Sequence, residues 1–160
     1  MSIKPAPPKL RFEPPRAGWL GLTVLFAGRQ ISINTSGASD PFPAFLKWLR
    51  SIALNALPCT WRIDEGEASF MEFSLHPADA GQARLALRGT RERDGGPQEV
   101  QDVVVFIDTL VDSQALARSF YRTYRRFLKK GFVSSQWSQD LRLLNYKALD
   151  ALLMVEPVKE

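Results

Sequence analysis

Residues 100–131 read VQDVVVFIDTLVDSQALARSFYRTYRRFLKKG, and the apolar period changes inside this one stretch. From Val100 to Ile107 the run is almost continuously apolar, the pattern of a strand buried on both faces and central in a sheet. From Ser113 the apolar residues recur at helical spacing. Asp112 or Ser113 can cap that helix, and Gly131 stops it after Lys130. A strand feeding straight into an amphipathic helix predicts an α+β domain whose helices pack on one face of its sheet.

The residues before this stretch are strand-rich. Cys59 to Ile63 is extended, Asp64-Glu65-Gly66-Glu67 is a turn, and Ser69 to Leu75 alternates up to His76-Pro77. Arg84 to Thr90 alternates again, and Asp94-Gly95-Gly96-Pro97 is a turn leading to Val100. Four strands at this regular spacing predict an antiparallel meander.

Further back, Asp40-Pro41 opens a helix expected over 41–56. Phe42, Phe45, Leu46, Leu49, Ile52, Ala53 and Ala56 form its apolar stripe, with Trp48 on the shoulder and Leu54 opposite. Trp19 to Phe26 and Gln30 to Thr35 read as a hairpin turning at Gly28-Arg29. Five prolines among the first fifteen residues make 1–16 a basic, extended leader, and 17–160 a single domain. A last helix is expected from Ser138 to Met154, with Leu141, Leu144, Ala148, Leu152 and Val155 on one face. The predicted fold is α+β: an antiparallel sheet of five or six strands with two or three helices packed on one face.

The chain has 160 residues, 45% hydrophobic and 24% charged, with a single histidine and a single cysteine. One such domain can bury a core without disulfides or metal. Two lone residues cannot build a Cys/His zinc site or a disulfide framework, so no metal and no cofactor are expected. Any Ser-His-Asp or Cys-His site would need His76, which stands at a strand end with no G-x-S-x-G elbow in the chain. Cys59 reads as a small hydrophobe, and Asp64, Glu65 and Glu67 as turn residues. Asp108 and Asp112 sit where helix entry favours negative charge. No catalytic residue is therefore assigned. An unrecognised Ser or carboxylate site, such as one around Asn34-Thr35-Ser36-Gly37, is the remaining enzymatic reading. The opening residues lack an apolar signal region, and the Gly18–Gly28 run is too short to span a membrane. With Cys59 unpaired, the expectation is a cytoplasmic protein.

Charge is the uneven feature. The net charge is +4, yet Lys4, Lys9, Arg11 and Arg16 against Glu13 give the leader +3. Residues 113–130 carry Arg118, Arg122, Arg125, Arg126, Lys129 and Lys130 with no acid, or +6, which leaves −5 for the remainder. At about 100° per residue, Arg118, Arg122, Arg125 and Lys129 fall in one narrow arc with Arg126 beside them. Leu116, Ala117, Phe120, Tyr121, Tyr124, Phe127 and Leu128 take the opposite arc. Like charges at this spacing repel by a few tenths of a kcal/mol per pair. These five cations are the expected partner-binding residues. The partner is either a protein with an acidic surface or, alternatively, nucleic acid held by helix 113–130; a merely solvated face is the third possibility. The helix's apolar side is needed by the sheet, so no membrane partner is expected.

The run Phe42-Pro-Ala-Phe45-Leu46-Lys-Trp48-Leu49-Arg-Ser-Ile52-Ala53, with Trp61-Arg-Ile63-Asp64-Glu65-Gly66, resembles a group of small bacterial proteins. Leu116 to Phe127 and Trp137 resemble the same group, which is similar to the immunity partners of bacterial toxins. The resemblance implies a non-catalytic protein-binding module, an immunity-type inhibitor that occludes a toxin or effector. The oligomeric state is left open.

Overall fold

The computed structural model describes residues 6–66, 68–92 and 101–154. The expected turn Asp94–Pro97, together with Lys4, Pro5, Glu67, Val100 and Val155, lies outside them. Among the described residues the chain is α+β, with seven strands and three α-helices. Strands β1 (Lys9–Phe12), β2 (Trp19–Phe26) and β3 (Arg29–Ser36) make one antiparallel sheet in that order. Helix α1 (Phe42–Ala53) follows, then β4 (Cys59–Gly66), β5 (Ser69–Pro77), β6 (Ala83–Glu92) and β7 (Gln101–Val111) as a second, four-stranded antiparallel sheet. Helices α2 (Ser113–Lys130) and α3 (Lys147–Leu153) close the described chain.

The single sheet of five or six strands is thus corrected to two sheets of three and four. The reason lies between β3 and β4, which approach without forming a ladder. The Asn34 N–H donates to the Glu65 carboxylate at 3.1 Å, so a side chain accepts a bond that a continuous sheet would give to a backbone carbonyl. Burial pushes the Glu65 pKa up, and the Asn34 bond partly opposes that.

Within the leader read from the sequence, Lys9–Phe12 is β1, paired with Leu22–Leu25. Leu10 and Phe12 are buried. The Phe12 ring stacks on Phe127 with centroids 5.2 Å apart and meets Tyr124 edge-on at 5.9 Å. The hairpin turn moves by one residue, because Phe26 pairs with Arg29 and the two central residues are Ala27 and Gly28. Both have positive φ, as a two-residue hairpin turn requires.

Helix α1 begins one residue late, with the Asp40 carboxylate accepting from the Phe42 N–H at 2.9 Å. It ends at Ala53, ahead of Asn55 in the left-handed region, so Ala56 falls outside it. Trp48 belongs to the buried face rather than its shoulder, and Leu54 is exposed as expected. The Trp48 ring joins Trp61 and Phe73, and Phe45 approaches Trp61 at 4.4 Å. Aromatic contacts between α1, the second sheet and α2 make up much of the core.

Strand β7 is not central but the edge of the four-stranded sheet. Its register against β6 shifts between Leu87 and Arg88, so that Leu87 faces Ile107 while Arg88 faces Val105. Phe106 is the extra residue of this bulge. The bulge turns Phe106 and Ile107 toward the core in succession and leaves Val103, Val105 and Leu110 about half exposed. The apolar run therefore records a bulge and an uncovered face, not burial on both sides.

The long C-terminal helix is also corrected. Asp140 caps a 3-10 turn at Leu141–Leu143, Leu144 is extended, and the Asn145 side chain accepts from the Lys147 N–H at 3.1 Å. Such local side-chain bonds compete with a continuous helix, so only Lys147–Leu153 is α-helical. Leu141, Leu149 and Leu153 are buried, whereas Ala148 and Leu152 are exposed.

Candidate functional site

Helix α2 is positioned at both ends by its own sequence. The Asp112 carboxylate accepts from the Ala115 N–H at 3.1 Å, and the Gly131 and Phe132 N–H groups return to the Phe127 carbonyl. Leu116, Ala117, Phe120, Tyr121, Tyr124, Phe127 and Leu128 are all buried, as their arc predicts. The cations take the other side. Arg126 and Lys129 are exposed, while Arg118, Arg122 and Arg125 are half-buried on it.

Arg125 is tied down. Its guanidinium lies 3.5 Å from the Asp150 carboxylate and 4.1 Å from the centre of the Tyr146 ring. The Tyr121 hydroxyl donates to the same carboxylate at 2.6 Å. Beside it, the Tyr124 and Tyr146 hydroxyls share a 2.8 Å bond, and Tyr146 donates to the Leu141 carbonyl at 2.6 Å. The expected set of five therefore divides. Arg125 fastens α3 to α2, while Arg118, Arg122, Arg126 and Lys129 form the outward group. Asp150 and Tyr146 are the residues that sequence reasoning missed. A lone aspartate in a short helix carries no signal that it will meet an arginine 25 positions earlier.

Among the described residues the nucleophile and acid-base candidates lie apart from one another, each in local or structural contacts. His76 is exposed on β5, opposite Arg84. The Cys59 thiol is half-buried, and burial pushes its pKa up to about 11, which leaves it protonated at neutral pH. Ser36 lies beside an open depression of about 510 Å³ that also touches Trp19, Gly37, Ser135, Gln136 and Ser138. None of its lining residues is an acid or a base. The Ser36 hydroxyl accepts from the Ala38 N–H instead. Asp64 closes its turn by accepting from the Gly66 N–H at 2.8 Å. Asp108 is not at helix entry: it lies within β7 and pairs with Arg84 at 2.7 Å. Among the described residues, no three His, Cys, Asp or Glu side chains are grouped to hold a metal ion. No helix there is long and apolar enough to cross a membrane.

The leader cations that are described, Lys9, Arg11 and Arg16, are exposed; Lys9 and Arg11 lie on β1, where Arg11 leans toward Glu13 at 3.4 Å, and Arg16 bridges to Trp19. No family model, curated protein or solved structure matches the chain.

Proposed function

We propose that this chain is a non-catalytic protein-binding module, most concretely an immunity-type inhibitor that occludes an acidic surface of a toxin or effector. One observation carries the reading. The face of α2 opposite its buried arc bears Arg118, Arg122, Arg126 and Lys129, and the sequence of the helix itself contains no acidic residue. A helix that needed only solubility would gain stability from interspersed Glu. This one keeps the repulsion, and the field it creates accelerates encounter with a negative partner. The half-buried Arg118 has a stem that can cover apolar surface while its head reaches a partner's carboxylates.

Affinity capture with the full chain from its native host tests the reading. The expected outcome is a co-eluting protein whose contact surface is acidic. Its capture should weaken with rising salt and fail with the Arg126→Glu/Lys129→Glu variant. Capture that the double reversal leaves unchanged removes the helix from the site. Binding to generic duplex instead, with affinity falling steeply in salt, would transfer the same cations to nucleic acid. The aromatic rings of α2 are all buried, so base stacking could not add to such binding.

A further inference from the structure

We infer that the outer edge of β7 is an interface for a second copy of this chain, two β7 strands pairing antiparallel about a two-fold axis into one eight-stranded sheet. The first observation is the state of that edge. β7 is the longest strand, eleven residues, and among the described residues only β6 pairs with it. It bears the apolar residues Val105, Val103 and Leu110 at 62%, 55% and 49% exposure. Natural sheet edges of this length are usually shortened, covered or charged.

The second observation is that the bulge makes the strand complementary to itself. Cross-strand partners must share a face, because a one-residue slip inverts every side chain. The ladder with β6 places Val103, Val105, Asp108 and Leu110 on the outer face, opposite Thr90, Arg88, Ala86 and Arg84. An unbroken strand would alternate throughout; the extra Phe106 changes the phase halfway. In consequence, a two-fold between Phe106 and Ile107 sets Val103 against Leu110 of the second copy and Val105 against its Asp108. Val104 meets Thr109 on the inner face, and Asp102 meets Val111. Every pair in this register shares a face, and no two like charges stand opposite.

Charge is consistent with that register. The Asp108 carboxylate is neutralised within its own chain by Arg84 at 2.7 Å. Neighbouring positions on the outer face hold Glu72 with Arg88 at 2.9 Å and Arg62 over the Phe70 ring at 3.8 Å, so the joined face brings together paired charges. One rung is interrupted: the Phe106 carbonyl, at the axis, accepts from Arg29 at 2.7 Å. The segments on either side carry the pairing. Apolar cross-strand pairs such as Val103 with Leu110 are the stabilising unit of such a ladder, and a self-complementary patch closes as a symmetric dimer.

Sedimentation equilibrium on the full chain over a concentration series tests the inference. The mass should rise to twice 18.0 kDa. Val105→Lys should return it to the single-chain value at the same concentration, with the far-UV circular dichroism of the folded chain unchanged. A Val103→Cys/Leu110→Cys double variant should form a covalent dimer under oxidation, since residues directly opposite lie about 4.5–5.5 Å apart, within disulfide reach. The native chain, with Cys59 alone, should form none. A chain that stays monomeric at every concentration overturns the inference. So does a dimer that Val105→Lys leaves intact, or a folded double-cysteine variant that does not cross-link.

Discussion

Two adjacent arginines on α2 have opposite duties. Arg125 is held by Asp150 and Tyr146, so its loss removes an ion pair and a cation–π contact and loosens α3. Arg126 is exposed and points away from that cluster. Urea unfolding should therefore show Arg125→Ala costing up to about 1 kcal/mol, a modest value because the pair is partly solvated. Arg126→Ala should stay within about 0.5 kcal/mol. Equal effects would mean that Arg125 is not the fastener of α3. The tyrosines give a second test. All three in the chain, Tyr121, Tyr124 and Tyr146, have their pKa values raised, burial being the largest cause. A raised folded pKa means stability is intact below the unfolded value near 10 and is lost as pH climbs above it. Cys59, shifted from 9.0 to about 11, acts in the same direction. Tyrosinate absorbance should stay low until the protein unfolds at alkaline pH, then appear in one step together with loss of circular dichroism. Early, separate ionisation of a tyrosine would contradict the buried cluster.

At the scale of elements, the β5–β6 pair is packed through a glycine. A Cβ at Gly89 would run into the Met71 side chain and the Phe70 carbonyl. Gly89→Ala should cost roughly 1–3 kcal/mol, read from the urea midpoint, because backbone must shift to admit it. A neutral substitution would show that β5 and β6 sit further apart. The elements themselves were largely legible from sequence. The helix after Asp40, the meander and the helix 113–130 with its two faces follow from period and caps, which depend on near neighbours. Three features did not, each decided by a contact remote in sequence or by local bonding. Where the two sheets separate, Glu65 takes the Asn34 amide, a contact between residues 31 positions apart. The half-exposed outer face of β7 depends on a bulge that shifts the side-chain phase, and a bulge leaves the composition of the strand unchanged. The last helix is cut short by Asp140 and Asn145, residues whose capping competes with the leucine period. Of the partner-binding candidates, the helical wheel identified the cationic side, but which arginine turns to α3 required Asp150 to be placed.

Across the whole molecule, one ring of the leader bridges three elements. Phe12 touches Phe42, Phe45, Tyr124 and Phe127, so β1, α1 and α2 meet at one residue. Phe12→Ala should cost about 3–5 kcal/mol of unfolding free energy, the range for a buried aromatic truncated to a methyl. A loss below 1 kcal/mol would detach β1 from the account of the core. With the core committed in this way, the cationic side of α2 stays on the surface, where the proposed partner would meet it. In the proposed function this side accelerates an electrostatic encounter, and the association rate constant of the captured partner, measured against ionic strength for the native chain and for Arg126→Glu/Lys129→Glu, decides the matter. The rate should fall with salt for the native chain, be about tenfold or more lower in the variant at low salt, and converge for the two at high salt, with thermal stability unchanged. Rates that coincide at every ionic strength would contradict the proposed function.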